Sequence, residues 1–494
     1  MSVFKKFLGQ TAVYGLSTIF SRLFNFILTP IYTNAYPEVV YGVFTKMYSY
    51  VSLINPILAF GMETTFFRFL NKHEDRKKEV FNNSFWIITF ISILFLITGL
   101  ALNDYLARFT LNGPLSGLAD QKRFVQYCVW VLFIDAICVI PFAKIRSDGK
   151  PLKYSIIRFT NIGIYVGLNL IFIYIIPYVI EHNLVGSEWL SGWFRPKWIG
   201  YVFISNLIAS LATFLMLLPQ FRDLEIKFDT ALFYKMFGYS WPVLVANLSF
   251  IVNENLDKIL LSKFLPTEIA DHEIGIYGAV CKLAIFISIF NTAFRLGAEP
   301  FFFSHAKNEN AKDTYATILN YFVLALAILF VGLIANIELL KHFIASKYWI
   351  GLPAVPFLLF GYVCLGIYMN LSIWYRLSDQ TKFGLYISLV GAVFTIIMNI
   401  ILIPIYSYMG SALISMLAYL MIMVISYVLG QKYYPIPYNL KRMLGYLGAS
   451  VVLVYLSFYI FKQNIYIGNV LFVLFLGGVY LLEKNNIRKI LTTK

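Results

Sequence analysis

The sequence predicts an all-α polytopic membrane protein: fourteen transmembrane helices, in two six-helix lobes related by a parallel repeat, with two extra C-terminal helices. Three observations lead there. Of 494 residues, 59% are hydrophobic and only 13% charged, where soluble domains average about 45–50% and 25%. Apolar runs of helix length recur along the whole chain, each long enough to cross a hydrocarbon core. One of those runs occurs twice.

Lys5 and Lys6 precede a run near residues 8–34 that holds Arg22. It lacks a small-residue cleavage site, so it reads as an uncleaved first span rather than a signal peptide. Further spans are expected near 41–67, 80–103, 123–143, 154–178, 198–219, 236–265, 274–304, 314–337, 352–375, 383–406, 409–430, 443–461 and 465–482. Lys and Arg accumulate in cytoplasmic loops. With the N-terminus inside, alternate loops hold 25 of the 40 basic residues, the intervening loops nine and the spans six. This asymmetry supports fourteen crossings with both termini cytoplasmic. It also explains most of the +15 net charge as topology and contact with anionic lipid, so no nucleic-acid partner is needed.

The four cysteines, Cys128, Cys138, Cys281 and Cys364, all lie in apolar runs, which suggests neither a disulfide framework nor a zinc site. No Walker sequence, HExxH or Cys/His cluster occurs, so neither ATP hydrolysis nor a metal enzyme is indicated. Trp189, Trp193 and Trp198 share one outer loop, where an interfacial belt accounts for them.

The duplicated run is Tyr41 to Phe67, which reappears as Tyr277 to Phe303 at a shift of 236 without a gap. Nine of 27 positions are identical, among them Tyr41/Tyr277, Gly42/Gly278, Lys46/Lys282, Asn55/Asn291, Gly61/Gly297 and Glu63/Glu299. In each copy a Glu follows the Lys by 17 residues, about 25 Å along a continuous helix. A Lys inside a span is costly and marks a functional site by default; the plainer reading is that it snorkels to the headgroups while the Glu caps or pairs locally. A weaker echo at a shift of 230 matches Arg146 with Arg376 and Asn169 with Asn399. The 236-residue shift carries span 2 onto span 8, an even number of crossings, so both copies run in the same direction. That is a parallel repeat, with a substrate site expected where the halves meet. The expected domains are an N-lobe over 1–220, a C-lobe over 221–435, and spans 13–14 with a cytoplasmic tail over 436–494.

With fourteen spans, the repeat, Tyr41-Gly42 and Tyr277-Gly278 opening the second helix of each lobe, and charges in spans 1, 2, 7 and 8, the chain resembles the polysaccharide and lipid-linked oligosaccharide flippases of the multidrug/oligosaccharidyl-lipid/polysaccharide exporter superfamily. The resemblance implies alternating access of two lobes around a central cavity. It implies a polyprenyl diphosphate-linked oligosaccharide as substrate, moved across the cytoplasmic membrane for surface polysaccharide synthesis. The cations facing the diphosphate would be Arg22, Lys46, Lys258 and Lys282. Lys in place of several Arg resembles the O-antigen (lipopolysaccharide) type more than the lipid II type. Membrane lipids and other polysaccharide-assembly membrane proteins are the implied partners; no cofactor is implied beyond a coupling ion, H⁺ or Na⁺, that no motif identifies.

The residues themselves add local detail. Glu254 and Lys258 are four apart, as are Arg295 and Glu299, so each pair can neutralise itself on one helix face. Arg22, Lys46 and Lys282 have no such neighbour in sequence. A diphosphate would satisfy them through charge-assisted hydrogen bonds; alternatively they pair with Asp257, Glu63 or one another and lock the lobes. Asp135 and Arg158 lie at overlapping depths and are expected to pair within the membrane. Two other functions compete. A cation-coupled drug exporter of the same superfamily typically has twelve spans and an acidic cavity. A membrane glycosyltransferase or polymerase commonly has a large external loop, whereas the longest outer loops here, near 104–122 and 179–197, are about 20 residues.

Overall fold

The computed structural model describes residues 26–306, 308–378 and 380–492, and among them every regular element is helical. Residues 26–35 form the described part of α1. There follow α2 (Glu38–Ala59), α3 (Met62–Lys72), α4 (Lys77–Ala101), α5 (Asn103–Thr110), α6 (Leu118–Ser147), α7 (Pro151–Leu170), α8 (Ile176–Glu181), α9 (Ser187–Ser191), α10 (Gly200–Leu217), α11 (Thr230–Phe264) and α12 (Thr267–Leu283). The rest comprises α13 (Ile285–His305), α14 (Ala311–Ala335), α15 (Ile337–Leu340), α16 (Val355–Leu371), α17 (Ile373–Leu377), α18 (Lys382–Tyr433), α19 (Leu440–Tyr455) and α20 (Ile465–Thr492).

Among the described residues nine helices are long and apolar enough to cross a membrane, and α12 with α13 passes as a bent pair. The protein is therefore polytopic. α2 and α11, which carry Lys46 and Lys258, are not among the nine: their polar residues lower their hydropathy, as expected of helices that do more than face lipid. α18 is two helices in one, because Ser407 adopts φ 50°, ψ −138°. That break falls where the sequence predicts spans 11 and 12 to meet. Pro177 cannot donate a hydrogen bond, and a wide turn over Ile171–Ile175 separates α7 from α8 just before it.

The chain divides into two compact units, residues 1–278 with 392–408, and residues 279–391 with 409–494. In the first unit α11 packs on α2 and α3, and Leu232 and Met236 of α11 share one apolar core with Met62, Phe66, Ile88 and Leu132. The first unit therefore includes all of α11 and most of α12 as well as α1–α10. In the second, α14 packs against α16, α19 and α20.

The two copies of the repeat do not bend alike. In the first, Phe60 and Gly61 both take left-handed φ (49° and 63°) and separate α2 from α3. In the second, the break comes at Ala284, between α12 and α13, and Gly297, the counterpart of Gly61, lies inside α13. Lys46 and Glu63 are thus on different helices. The distance expected along one continuous helix does not apply to them.

Candidate functional site

Lys46 projects from the middle of α2 and is fully buried. Its Nζ lies 2.6 Å from Oδ1 of Asp271 on α12. The same oxygen accepts from Asn112 Nδ2 at 3.0 Å, and Asn112 also donates to Ser262 Oγ of α11 at 2.9 Å. Glycines make this convergence possible. A Cβ on Gly42 would sit 1.7 Å from the Asp271 carbonyl oxygen, and one on Gly275 would sit 2.1 Å from the Glu38 carbonyl oxygen. Small residues let membrane helices approach this closely. The sequence left Lys46 without a counter-ion; the fold supplies one from 225 residues away.

Lys258 corrects a second expectation. Its Nζ donates to Asp257 Oδ1 at 2.8 Å and to the backbone carbonyl of Glu254 at 3.2 Å, so its ionic partner is Asp257 and not the Glu254 carboxylate. The other Asp257 oxygen accepts from Tyr277 Oη at 2.7 Å, and the Lys258 ammonium lies 5.1 Å from the Tyr277 ring centroid. The repeat tyrosine thus orients a buried ion pair. Lys282 is half-buried in the last turn of α12, two residues before the break at Ala284, and it too is engaged by neighbours. Arg22 lies outside the described residues.

The remaining polar residues gather elsewhere. Inside the first unit a cavity of about 300 Å³ is lined by Asn55, Glu63, Asp135, Arg146, Arg158 and Asn206, together with Asn161 of α7 and Ser210 and Thr213 of α10. Glu63 is ion-paired with Arg146. Asp135 and Arg158 line this cavity together and interact electrostatically across it, with no direct ion pair among the described contacts. Arg158 also lies over Phe142 at 4.4 Å and Tyr154 at 5.5 Å. In the second unit a cavity of about 20 Å³ is lined by Asn291, Arg295, Asn370 and Arg376 among apolar side chains, room for about one water. The side chain of Glu299 lies outside the described set. The duplicated Asn55/Asn291 and Arg146/Arg376 thus line a cavity inside each unit, away from the repeat lysine of the first. The shift-230 echo marks Arg146 and Arg376 in the sequence, whereas no repeat or spacing marks Asp271.

A family model described as polysaccharide biosynthesis protein matches residues 7–134. The lipid II flippase MurJ in an inward closed conformation superposes with a TM-score of 0.68, at 15% identity over 96% of this chain and 100% of that one. An inward-facing MATE-family multidrug resistance transporter of the MOP superfamily gives 0.61, at 13% identity over 87% and 96%. The chain shares the fold of these transporters. An uncharacterized membrane protein of Methanocaldococcus jannaschii is 22% identical over 448 residues, 85% of this chain and 83% of its own.

Proposed function

We propose that the protein is a flippase that carries a polyprenyl diphosphate-linked oligosaccharide across the cytoplasmic membrane by alternating access, for surface polysaccharide synthesis. The observation that carries this reading is the intramembrane Lys46, buried and held by a carboxylate that a diphosphate oxygen would replace in kind, in a chain with the fold of a lipid II flippase. Arg22, Lys258 and Lys282 complete the cation set, and N- and C-lobes rock about the repeat axis. A cavity of about 840 Å³ between α19 and α20 supports a lipid-linked substrate. It is walled by Leu453, Leu474, Phe475 and Leu482 and also lined by Lys441 and Arg442, the latter ion-paired with buried Glu483, so an isoprenoid tail finds apolar walls.

The test is surface-polysaccharide rescue in a flippase-deficient strain by Lys46→Gln/Lys282→Gln, with membrane abundance measured. Each lost charge-assisted hydrogen bond costs about 1.5–3 kcal/mol of binding, so rescue should fall by an order of magnitude or more. Full rescue at normal abundance removes the diphosphate reading. A second reading, a cation-coupled exporter, draws on Asp135 and Glu63 in the 300 Å³ cavity; in that case Asp135→Asn abolishes efflux of a cationic drug and leaves polysaccharide rescue unaffected.

A further inference from the structure

The α2–α12 crossing joins two features that function would need to separate. Its backbones touch through Gly42 and Gly275, Gly278 faces the Thr45 side chain, and the Lys46–Asp271 ion pair has side chains only 1% and 6% exposed. Removing one partner of such a pair strands a charge out of water, whereas exchanging the partner for another anion does not. Lys263, in the last turn of α11, feels the charge of Lys46 while it donates to the Phe109 carbonyl and lies 3.7 Å from that ring's centroid. Asp271 is further held by Asn112, which ties α5's trailing loop and α11 to the same carboxylate.

We propose that Asp271 is a built-in surrogate for the substrate's anion, and that Lys46–Asp271 is an exchangeable lock on the α2–α12 crossing. With no ligand, Asp271 neutralises Lys46 and the glycine-lined crossing stays closed. When a diphosphate headgroup reaches Lys46 it takes over the ammonium, Asp271 retires to Asn112 and water, and α2 separates from α12. One residue then reads the ligand and releases the gate, which couples opening to a bound anion. This rests on the proposed diphosphate substrate only in its second half; the lock itself does not.

The experiment follows thiol labelling of Thr45→Cys in the purified full-length protein, relative to the parent without that cysteine. Thr45 faces Gly278 across the crossing, with its Cβ 3.2 Å from the position of a Cβ there, and is only partly exposed, so its labelling should increase when the crossing opens. Asp271→Asn should raise labelling roughly tenfold or more without ligand, since an unpaired buried charge strongly biases the equilibrium. Farnesyl diphosphate should raise it in the Thr45→Cys parent, farnesol should not, and neither should act on Lys46→Met. Unchanged labelling in Asp271→Asn overturns the lock whatever the substrate is. High labelling in Asp271→Asn with no response of the parent to farnesyl diphosphate leaves the lock standing and overturns the anion exchange, and with it the diphosphate reading. If Asp271→Asn does not fold, Lys46→Met/Asp271→Leu keeps the crossing packed without charge. Labelling that still responds to farnesyl diphosphate in that variant overturns the proposal.

Discussion

Gly42→Ala is the sharpest probe of the α2–α12 crossing. The added Cβ would lie 1.7 Å from a backbone oxygen of Asp271, an atom that cannot rotate away. Restoring an ordinary contact of about 3.5 Å requires the two backbones to part by roughly 1.5–2 Å. That displacement stretches the 2.6 Å Lys46–Asp271 bond past ion-pair range. The cost therefore has two parts: overpacking of about 1–3 kcal/mol, and a share of the roughly 3–5 kcal/mol that follows when a buried pair is broken. Gly278→Ala meets the Thr45 side chain at 2.7 Å, a group that can change rotamer, and should cost about 1 kcal/mol. Gly167→Ala in α7 meets nothing within 4 Å and should stabilise by about 0.5–1 kcal/mol through helix propensity. The assay is unfolding in mixed micelles across the three variants. The expected order of stability is Gly167→Ala above the unsubstituted protein, then Gly278→Ala, then Gly42→Ala. A Gly42→Ala protein as stable as the unsubstituted one would refute the close crossing and the buried pair together.

Asp257→Ala should be strongly destabilising, by about 3–5 kcal/mol, because Lys258 and Tyr277 both lose a buried acceptor; Tyr277→Phe should cost only about 0.5–1.5 kcal/mol, and equal losses in membrane abundance would count against this arrangement. Glu63→Gln breaks a pair whose side chains are 46% and 37% exposed, so stability should change by no more than about 1 kcal/mol; a larger loss in the same unfolding assay would place the pair deeper than the structure does. The α10–α11 connection is fastened to α6, α4 and the turn before α4 by Lys144–Asp223, Lys78–Glu225 and Arg76–Asp229. Lys78 holds the carboxyl of Glu225 below its usual range, and the Leu232 amide followed by Arg76 does so for Asp229. Depressed carboxyl pKa values stabilise above the unfolded value and lose that effect as pH falls through the folded one, so amide-exchange protection over 218–229, relative to the intrinsic rate at each pH, should hold at neutral pH and fall below about pH 4. Protection that fell between pH 8 and 6 instead would exclude these carboxylates as the fastening.

Hydropathy is a property of neighbouring residues along the chain, and that is why the polytopic helical class, the meeting of spans 11 and 12 at Ser407 and the duplicated polar residues were all legible from sequence. A residue's partner across the fold is not such a property. Asp257 lies beside Lys258 in sequence, yet only the helix geometry placed Asp257, and not Glu254, on the ammonium; the i, i+4 rule lost to a carboxylate already held by Tyr277 on a neighbouring helix. The case of Gly61 and Gly297 is similar. They hold matching positions in the repeat, but α11 presses on Gly61, where a Cβ would meet the Ser240 carbonyl at 2.7 Å, and that approach goes with left-handed backbone. A Cβ on Gly297 would meet no described atom within 4 Å, and that residue stays helical. The sequence by itself determined which residues are polar inside the membrane, because desolvation makes each such residue stand out from its apolar run. The tertiary structure alone decided which charges neutralise one another: Lys46 and Asp271 are 225 positions apart, and in a low-dielectric interior a contact of 2.6 Å outweighs any pattern written along the chain.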